Sequence, residues 1–445
     1  MDFITGFLPD VVNILKTTWF LFIKGGWVVF VMGILYMMYT SYIKEIRHQF
    51  IDEQEWVFLN IKVPRENLQS TLAVEAIFAQ MHAIHTGLTF PQIYVEGKEQ
   101  LWYSLELISL GGKISFVIRT PVKMRHLVEA SFYSKFPQIE ISEVDDYMKN
   151  FEYDPEDPKG LELWGTEVKL TEPDVFPIRT YKDFEHPSAE EKIIDPLSAL
   201  FESLAKMGPH EFFGIQILIQ PLADDEWKPR GESVIKELIG EEPKHEFTFW
   251  SLLMAPFNWF AKFSYRETVA GALSGHHEEK ARTQKNDWMS LTETQKGRVT
   301  GIEEKISKPG YYTKIRFLYI APEEHFDGGK RNMFPGSYRI LGNSMTNKMK
   351  PDVSKTMTNA DYRISETLEK PWLTWVLNKK RRNILKGYKT RNVHIGSPLF
   401  VMNTEEIATL YHFPITTKTT TVSSTIERSE TKTYQPPVNL PIVEE

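Results

Sequence analysis

The 445-residue chain contains no cysteine. Disulfides are excluded by that absence, and so are zinc sites built on thiolates. A phosphate loop is missing as well. The pattern of glycine, four residues, then Gly-Lys-Ser/Thr occurs nowhere, and the tempting Gly111-Gly112-Lys113 runs on into Ile114. HExxH, the paired helical histidines of one class of zinc protease, is absent too. Nor is there any excess of positive charge: 52 Lys and Arg against 59 Asp and Glu leave −7. A general attraction to nucleic acid is thereby ruled out, and any phosphate contact has to be a local patch.

Charge of either sign disappears from Gly25 to Ile43, GGWVVFVMGILYMMYTSYI. A helix rising about 1.5 Å per residue needs about 20 such residues to cross a hydrocarbon core ~30 Å thick. The pattern predicts a transmembrane helix over 25–43, with Trp27, Tyr36, Tyr39 and Tyr42 at headgroup levels and Lys44 and Arg47 at its charged end. No basic cluster precedes the run and no small-residue cleavage site follows it, which argues for a retained anchor rather than a signal peptide. The stretch 1–24, with Pro9 near its start, reads as a short amphipathic segment lying in the interface.

About 400 residues follow, 42% of the whole chain being hydrophobic and 13% aromatic, which is enough for two or more domains with real cores. From 55 to 147 the order is strand, helix, hairpin, helix, strand. Trp56–Val63 alternates and stops at Pro64; Ser70–Thr86 has helical spacing and stops at Gly87. Two strands, Gln100–Ser109 and Lys113–Arg119, meet at Gly111-Gly112, where positive φ is free of steric cost. A helix over Val122–Phe136 and a strand over Ile139–Val144 complete a β-α-β-β-α-β, ferredoxin-like order. His82 and His85 stand three apart on the first helix without a carboxylate–histidine partner, which is a weak metal pattern and reads as surface or half-buried histidine.

Residues 148–160 form an acidic linker broken by Pro155 and Pro158. A second α+β domain is expected over 161–415. Extended stretches are read at Trp164–Leu170, Phe176–Tyr181, Phe212–Pro221 and Tyr311–Ala321, with helices at Pro196–Met207, Trp227–Gly240 and around Trp288–Ile306. The overall fold class is thus α+β, two ferredoxin-like units behind an N-terminal helix, the second unit carrying a large insertion. That insertion, 245–280, is aromatic-rich, and Trp250, Phe257, Trp259 and Phe260 fit either a headgroup boundary or a protein interface. The one concentrated basic stretch, Lys379, Lys380, Arg381, Arg382, Lys386, Lys389 and Arg391, suits a nucleic-acid phosphate or an anionic leaflet. A solvated loop, or a face that docks the acidic linker, is the plainer reading. Asn403–Pro414 is a capped helix ended by proline, and 416–445 is a Thr/Ser-rich low-complexity tail.

MNTEEIATLYHFP, followed by a polar stretch and PPVNLPI, resembles the segment ahead of the motor in membrane-anchored, conjugation-type (type IV secretion-like) P-loop ATPases. WVFLNIKVP, SLELISLGGKISFVIRTP and LVEASFYSKFPQIEISEVDDY agree with the same family, so the likeness extends from Trp56 to Ile442. Those proteins commonly continue into a Walker-containing motor, which is missing here. The resemblance therefore implies a non-enzymatic anchor and adaptor, without cofactor, metal or catalytic residues, that docks a separate P-loop ATPase. It also implies a single-pass topology in the cell membrane, N-terminus out and the bulk cytoplasmic. The competing expectation is a membrane-tethered nucleic-acid-binding protein; homo-oligomerisation stays open.

Overall fold

The computed structural model describes residues 20, 23–24, 27–63, 67, 69–149, 151–184, 195–240, 291–343, 345–359 and 366–414. The chain divides into two compact units, one made of 1–54 with 87–99, the other of 55–86 with 100–445.

In chain order the elements are α1 (Trp27–Asp52), β1 (Trp56–Lys62), α2 (Thr71–Met81), α3 (Phe90–Tyr94), β2 (Tyr103–Leu110), β3 (Lys113–Pro121), α4 (Arg125–Lys135), β4 (Glu140–Val144) and β5 (Leu161–Leu170). There follow α5 (Ser198–Ala205), β6 (Phe212–Leu222), α6 (Asp224–Leu238), α7 (Glu293–Ile306), β7 (Gly310–Pro322), α8 (Lys330–Ser337), β8 (Met349–Pro351), α9 (Glu366–Thr390), β9 (Phe400–Asn403) and α10 (Thr404–Leu410).

The smaller unit holds α1 and α3. Helix α1 covers most of the uncharged run and continues past Ile43 through Lys44, Glu45 and Arg47 to Asp52. Among the described residues no helix is long and apolar enough to cross a membrane. The expectation that 25–43 by itself forms a transmembrane helix is corrected to that extent. From Trp27 to Ile43 the helix is only about 25 Å long, short of a ~30 Å core; three tyrosines, Thr40 and Ser41 further dilute its hydropathy. The interfacial segment read over 1–24 falls almost wholly outside the described residues.

Among the described residues the larger unit is built on one antiparallel sheet of nine strands in the order β4-β1-β3-β2-β6-β7-β5-β8, with β9 added to β7. Gly111 and Gly112 both take positive φ, +59° and +82°, and close the β2–β3 hairpin as their lack of a Cβ allows. The segments on either side of the acidic linker share this sheet, because β2 pairs with β6 from Tyr103↔Ile219 to Leu110↔Phe212. In each half the strands stand in the order fourth, first, third, second, and the two halves meet through their second strands.

Strand alternation sorts the faces. Leu59, Leu105, Phe116, Ile217, Ile315 and Phe317 belong to the main buried core, which the helical residues Val74, Phe78, Phe132, Leu200 and Ile407 complete. The opposite face carries a smaller apolar cluster, in which Ile384, Leu385 and Tyr388 of α9 join Leu163, Leu318 and Ile320. The extended stretch expected at Phe176–Tyr181 is irregular instead. Pro173 and Pro177 lack the N–H that a ladder needs, and the segment is held singly: Arg179 N donates to Leu341 O at 2.8 Å, Asn347 N to Pro177 O at 2.8 Å.

Candidate functional site: a buried ion-pair ladder beneath the basic helix

On the face under α9, four polar side chains stand in register on four adjacent strands: Glu106 (β2) opposite Gln216 (β6), Gln216 opposite Arg316 (β7), and Arg316 opposite Glu167 (β5). All four are fully buried. Gln216 Nε2 donates to Glu106 Oε1 at 3.0 Å, Arg316 Nη1 to Gln216 Oε1 at 3.1 Å, and Arg316 Nε to Glu167 Oε1 at 2.7 Å. The row continues at one end through Arg391, whose Nε reaches Glu106 at 3.0 Å and whose Nη1 reaches Asp146 at 2.6 Å. Tyr147 and Ser104 hydroxyls complete Glu106 at 2.8 and 2.7 Å. At the other end the Ser397 amide donates to Glu167, and Ser397 Oγ to Asp352 at 2.8 Å.

The backbone of the 387–397 segment is the object of this row. Arg316 donates all five of its N–H groups, two of them to side chains and three to the carbonyls of Gly387 (2.8 Å), Asn392 (2.6 Å) and Ile395 (2.6 Å). Lys314 Nζ adds a second donor to Ile395 O at 2.7 Å. Arg391 occupies the left-handed region, φ +52°, directly after α9, where glycine is the usual residue. Trp102 Nε1 holds its carbonyl at 2.8 Å, and its side chain repays the strained backbone in the pairs just described.

Electrostatics follow the pairing. Burial alone would raise the Glu106 carboxyl, but the charge and hydrogen bonds of Arg391, with Ser104 and Tyr147, hold it below its usual range. Burial pushes the Lys314 ammonium down to about 7, against the pull of Glu167 and helped by Arg316 and Lys355. Burial would also raise Asp352, yet hydrogen bonds from Ser397, Ser354, Lys169 and the Lys355 amide bring it to about 2, below its ordinary 3.8. Because the folded value is the lower one, its stabilising contribution is complete above 3.8 and fades as the pH falls through 2. The stability difference between wild type and Asp352→Asn, read from urea midpoints, is therefore expected to be constant near neutrality and to shrink between pH 4 and pH 2.

A second charged cluster fixes α10. Lys305 pairs with Glu406 at 2.9 Å with both side chains buried, and Glu406 also closes the capping box with Asn403. Lys308 bridges Glu75 and Glu405, and Tyr181 Oη donates to Glu75 at 2.7 Å. His412 Nε2 meets Asp195 at 3.0 Å. Burial lowers the affinity of His412 for its proton, but Asp195 and the carbonyls of Ala408 and Thr409 more than restore it. Every residue from Phe400 to Pro414 is buried.

The residues singled out from the sequence fall in three places. Trp27, Tyr39, Tyr42 and Lys44 are exposed along α1, while Tyr36 and Arg47 are half-buried. Lys379, Lys380, Arg381, Arg382, Lys386 and Lys389 lie on α9, and most face acids or carbonyls: Arg382 bridges Asp154 (3.2 Å) and Glu156 (2.9 Å), Arg381 pairs with Glu162, Lys389 donates to Phe151 O (2.6 Å), and Lys380 to Val353 O (3.1 Å). Lys379 instead lies over the Trp375 ring at 5.4 Å, and Trp375 stacks on Trp372, both exposed. Trp250, Phe257, Trp259 and Phe260 lie outside the described residues. His82 is half-buried, its Nε2 within 3.1 and 3.2 Å of Leu222 O and Gly310 O. Among the described residues no three His, Asp or Glu side chains gather as metal ligands. Reading the sequence missed the ladder: Glu106, Glu167 and Arg316 look like the solvent side of half-exposed strands.

A family model described as Domain of unknown function (DUF8128) matches residues 39–425. The chain belongs to this family. The DUF8128 match takes in every strand of the described residues, the ladder and α10, and begins within α1. No curated protein matches the chain. Chemically, the DUF8128 ladder is a clamp: each of its charged groups is spent on a neighbour or on the 387–397 backbone.

Proposed function

We propose that this DUF8128 protein is a non-enzymatic, membrane-anchored component of a type IV secretion or conjugation-like machine that docks a separate cytoplasmic P-loop ATPase. The observation that carries the proposal is the surface of α1. Val28, Val31, Met32, Ile34, Leu35, Met37 and Met38 are all exposed on that one helix. So much contiguous apolar surface in water demands a partner, and a bilayer accepts it on all sides. In the sequence the run without charge starts at Gly25, directly ahead of α1, with Lys24 closing it on that side. Lys44 and Arg47 then stand at the inner surface with the bulk of the chain cytoplasmic. The sheet reads as two ferredoxin-like halves joined edge to edge through β2 and β6, a rigid platform for docking.

The nucleic-acid alternative has less support. Arg381, Arg382 and Arg391, the three arginines of the seven-residue basic stretch, are already paired with Glu162, Asp154, Glu156, Glu106 and Asp146 before any phosphate arrives. What α9 does offer outward is the stacked pair Trp372 and Trp375, of the residue type that dominates interface energetics. Crosslinking in intact membranes, followed by purification through the full-length chain, is expected to recover a polypeptide with a Walker motif. Trp372→Ser/Trp375→Ser is expected to lower that yield by roughly tenfold or more, the size of one interface hot spot. Recovery of no P-loop ATPase above an untagged control would sink the adaptor reading.

A further inference from the structure

The smaller unit contains a segment to which the reading of the sequence assigned no role. Residues 87–99 leave the larger unit between α2 and β2 and return to α1. The excursion is locally well built: Thr89 N donates to the Gln92 side chain at 2.9 Å, and Lys98 N to Gln92 O at 2.8 Å. Its contact with α1 is close. Tyr39 Oη donates to Tyr94 O at 3.3 Å, and Gly97, at φ +65°, leaves no room for a side chain, since a Cβ would sit 2.6 Å from Ile46 Cγ1 and 3.0 Å from the Arg47 amide. The segment therefore lies against α1 at the level of residues 39–47, where the uncharged run gives way to Lys44 and Arg47. Its large side chains turn outward: Phe90 is 72% exposed, Tyr94 40% and Val95 64%, with the Phe90 and Tyr94 rings 4.5 Å apart. A segment that docks through a glycine and a tyrosine bond, yet leaves its aromatics in water, is incomplete as a free surface.

We infer that 87–99 is a second membrane-contacting element, which seats Phe90, Tyr94 and Val95 in the headgroup boundary of the bilayer beside Tyr39 and Tyr42. Aromatic rings favour that layer, where one edge is apolar and the other wet, and Lys44 beside them complements anionic headgroups. The lipid surface fits better than a protein partner because the patch sits at the junction between the apolar and charged parts of the same helix. A second aromatic foothold about one helix diameter away stops the anchor rotating and tilting, which a single helix does not. The inference rests on the reading of α1 as the membrane anchor.

The absence of native cysteine makes the test direct. Leu35→Cys, Phe90→Cys and Glu304→Cys full-length chains, each labelled with an environment-sensitive fluorophore, are reconstituted into phosphatidylcholine–phosphatidylglycerol vesicles. The expected result is blue-shifted emission at 35 and 90 but not at 304, with the probe at 90 quenched by lipids spin-labelled near the headgroup and the probe at 35 by lipids labelled deep in the chain. Adding Gly97→Val, which cannot dock, is expected to return the probe at 90 to water and leave 35 unchanged. If 35 is shielded while 90 is as wet as 304, the inference is overturned and the anchor reading stands. If both are wet, the anchor reading fails and takes the inference with it.

Discussion

Replacing Arg316 by methionine is expected to cost about 3–5 kcal/mol of folding free energy, the usual penalty for removing one partner of a buried ion pair. Methionine roughly fills the volume, so the loss is electrostatic rather than a cavity. Glu167 is left charged and buried, Gln216 Oε1 and the Asn392 carbonyl lose their donor, and the carbonyls of Gly387 and Ile395 keep only the Asn392 amide and Lys314 Nζ. Arg316→Lys is expected to recover only part, because an ammonium has three donors in place of a planar fork of five. Arg316→Met/Glu167→Met is expected to be milder than the single change in Arg316, since it removes the orphaned charge but not the orphaned Asn392 carbonyl. Urea unfolding followed by tryptophan fluorescence reads all three. A single variant within 1 kcal/mol or so of wild type would mean the ladder is not the clamp described.

The substitution also has a local effect, because the clamp fixes the end of α9. The helix exposes Trp372 and Trp375 at one end and is tied down at the other by Arg391, Arg316 and Lys314. On the adaptor function we propose, such a face gains affinity from being held rigid before the partner arrives.

Much of this was legible in the sequence, for reasons that differ between elements. The strands β1, β2, β3, β6 and β7 announced themselves because one face of each buries apolar residues at every second position. The β2–β3 turn followed from Gly111-Gly112 alone. The capped start of α10 followed from Asn403 and Glu406, whose spacing is that of a capping box. The join between β2 and β6 carried no local signal, since strands about 100 residues apart in sequence pair through backbone groups that every residue has. The ladder was hidden by the same alternation that revealed the strands: Glu106, Glu167 and Arg316 occupy positions that in a two-layer sheet face water, and only a covering layer, α9, makes them interior. The basic stretch and the acidic linker were each visible, but their mutual pairing through Arg382, Asp154 and Glu156 is a tertiary fact. Segment 87–99 escaped because its helix α3 is five residues long, too short to show a period.

The second large effect concerns α1. A lysine at the centre of a membrane helix costs about 2.5–3.5 kcal/mol against a small gain for valine or leucine, so two such changes cancel most of what seventeen or so apolar residues provide. Val31 and Leu35 are exposed and one turn apart on the same face, so charging them leaves the rest of the fold untouched. Extraction of isolated membranes with alkaline carbonate separates embedded chains from those that merely adhere. The account predicts that the wild-type full-length chain stays in the pellet and that Val31→Lys/Leu35→Lys moves it to the supernatant; a wild-type chain that carbonate releases as readily as the variant would contradict it.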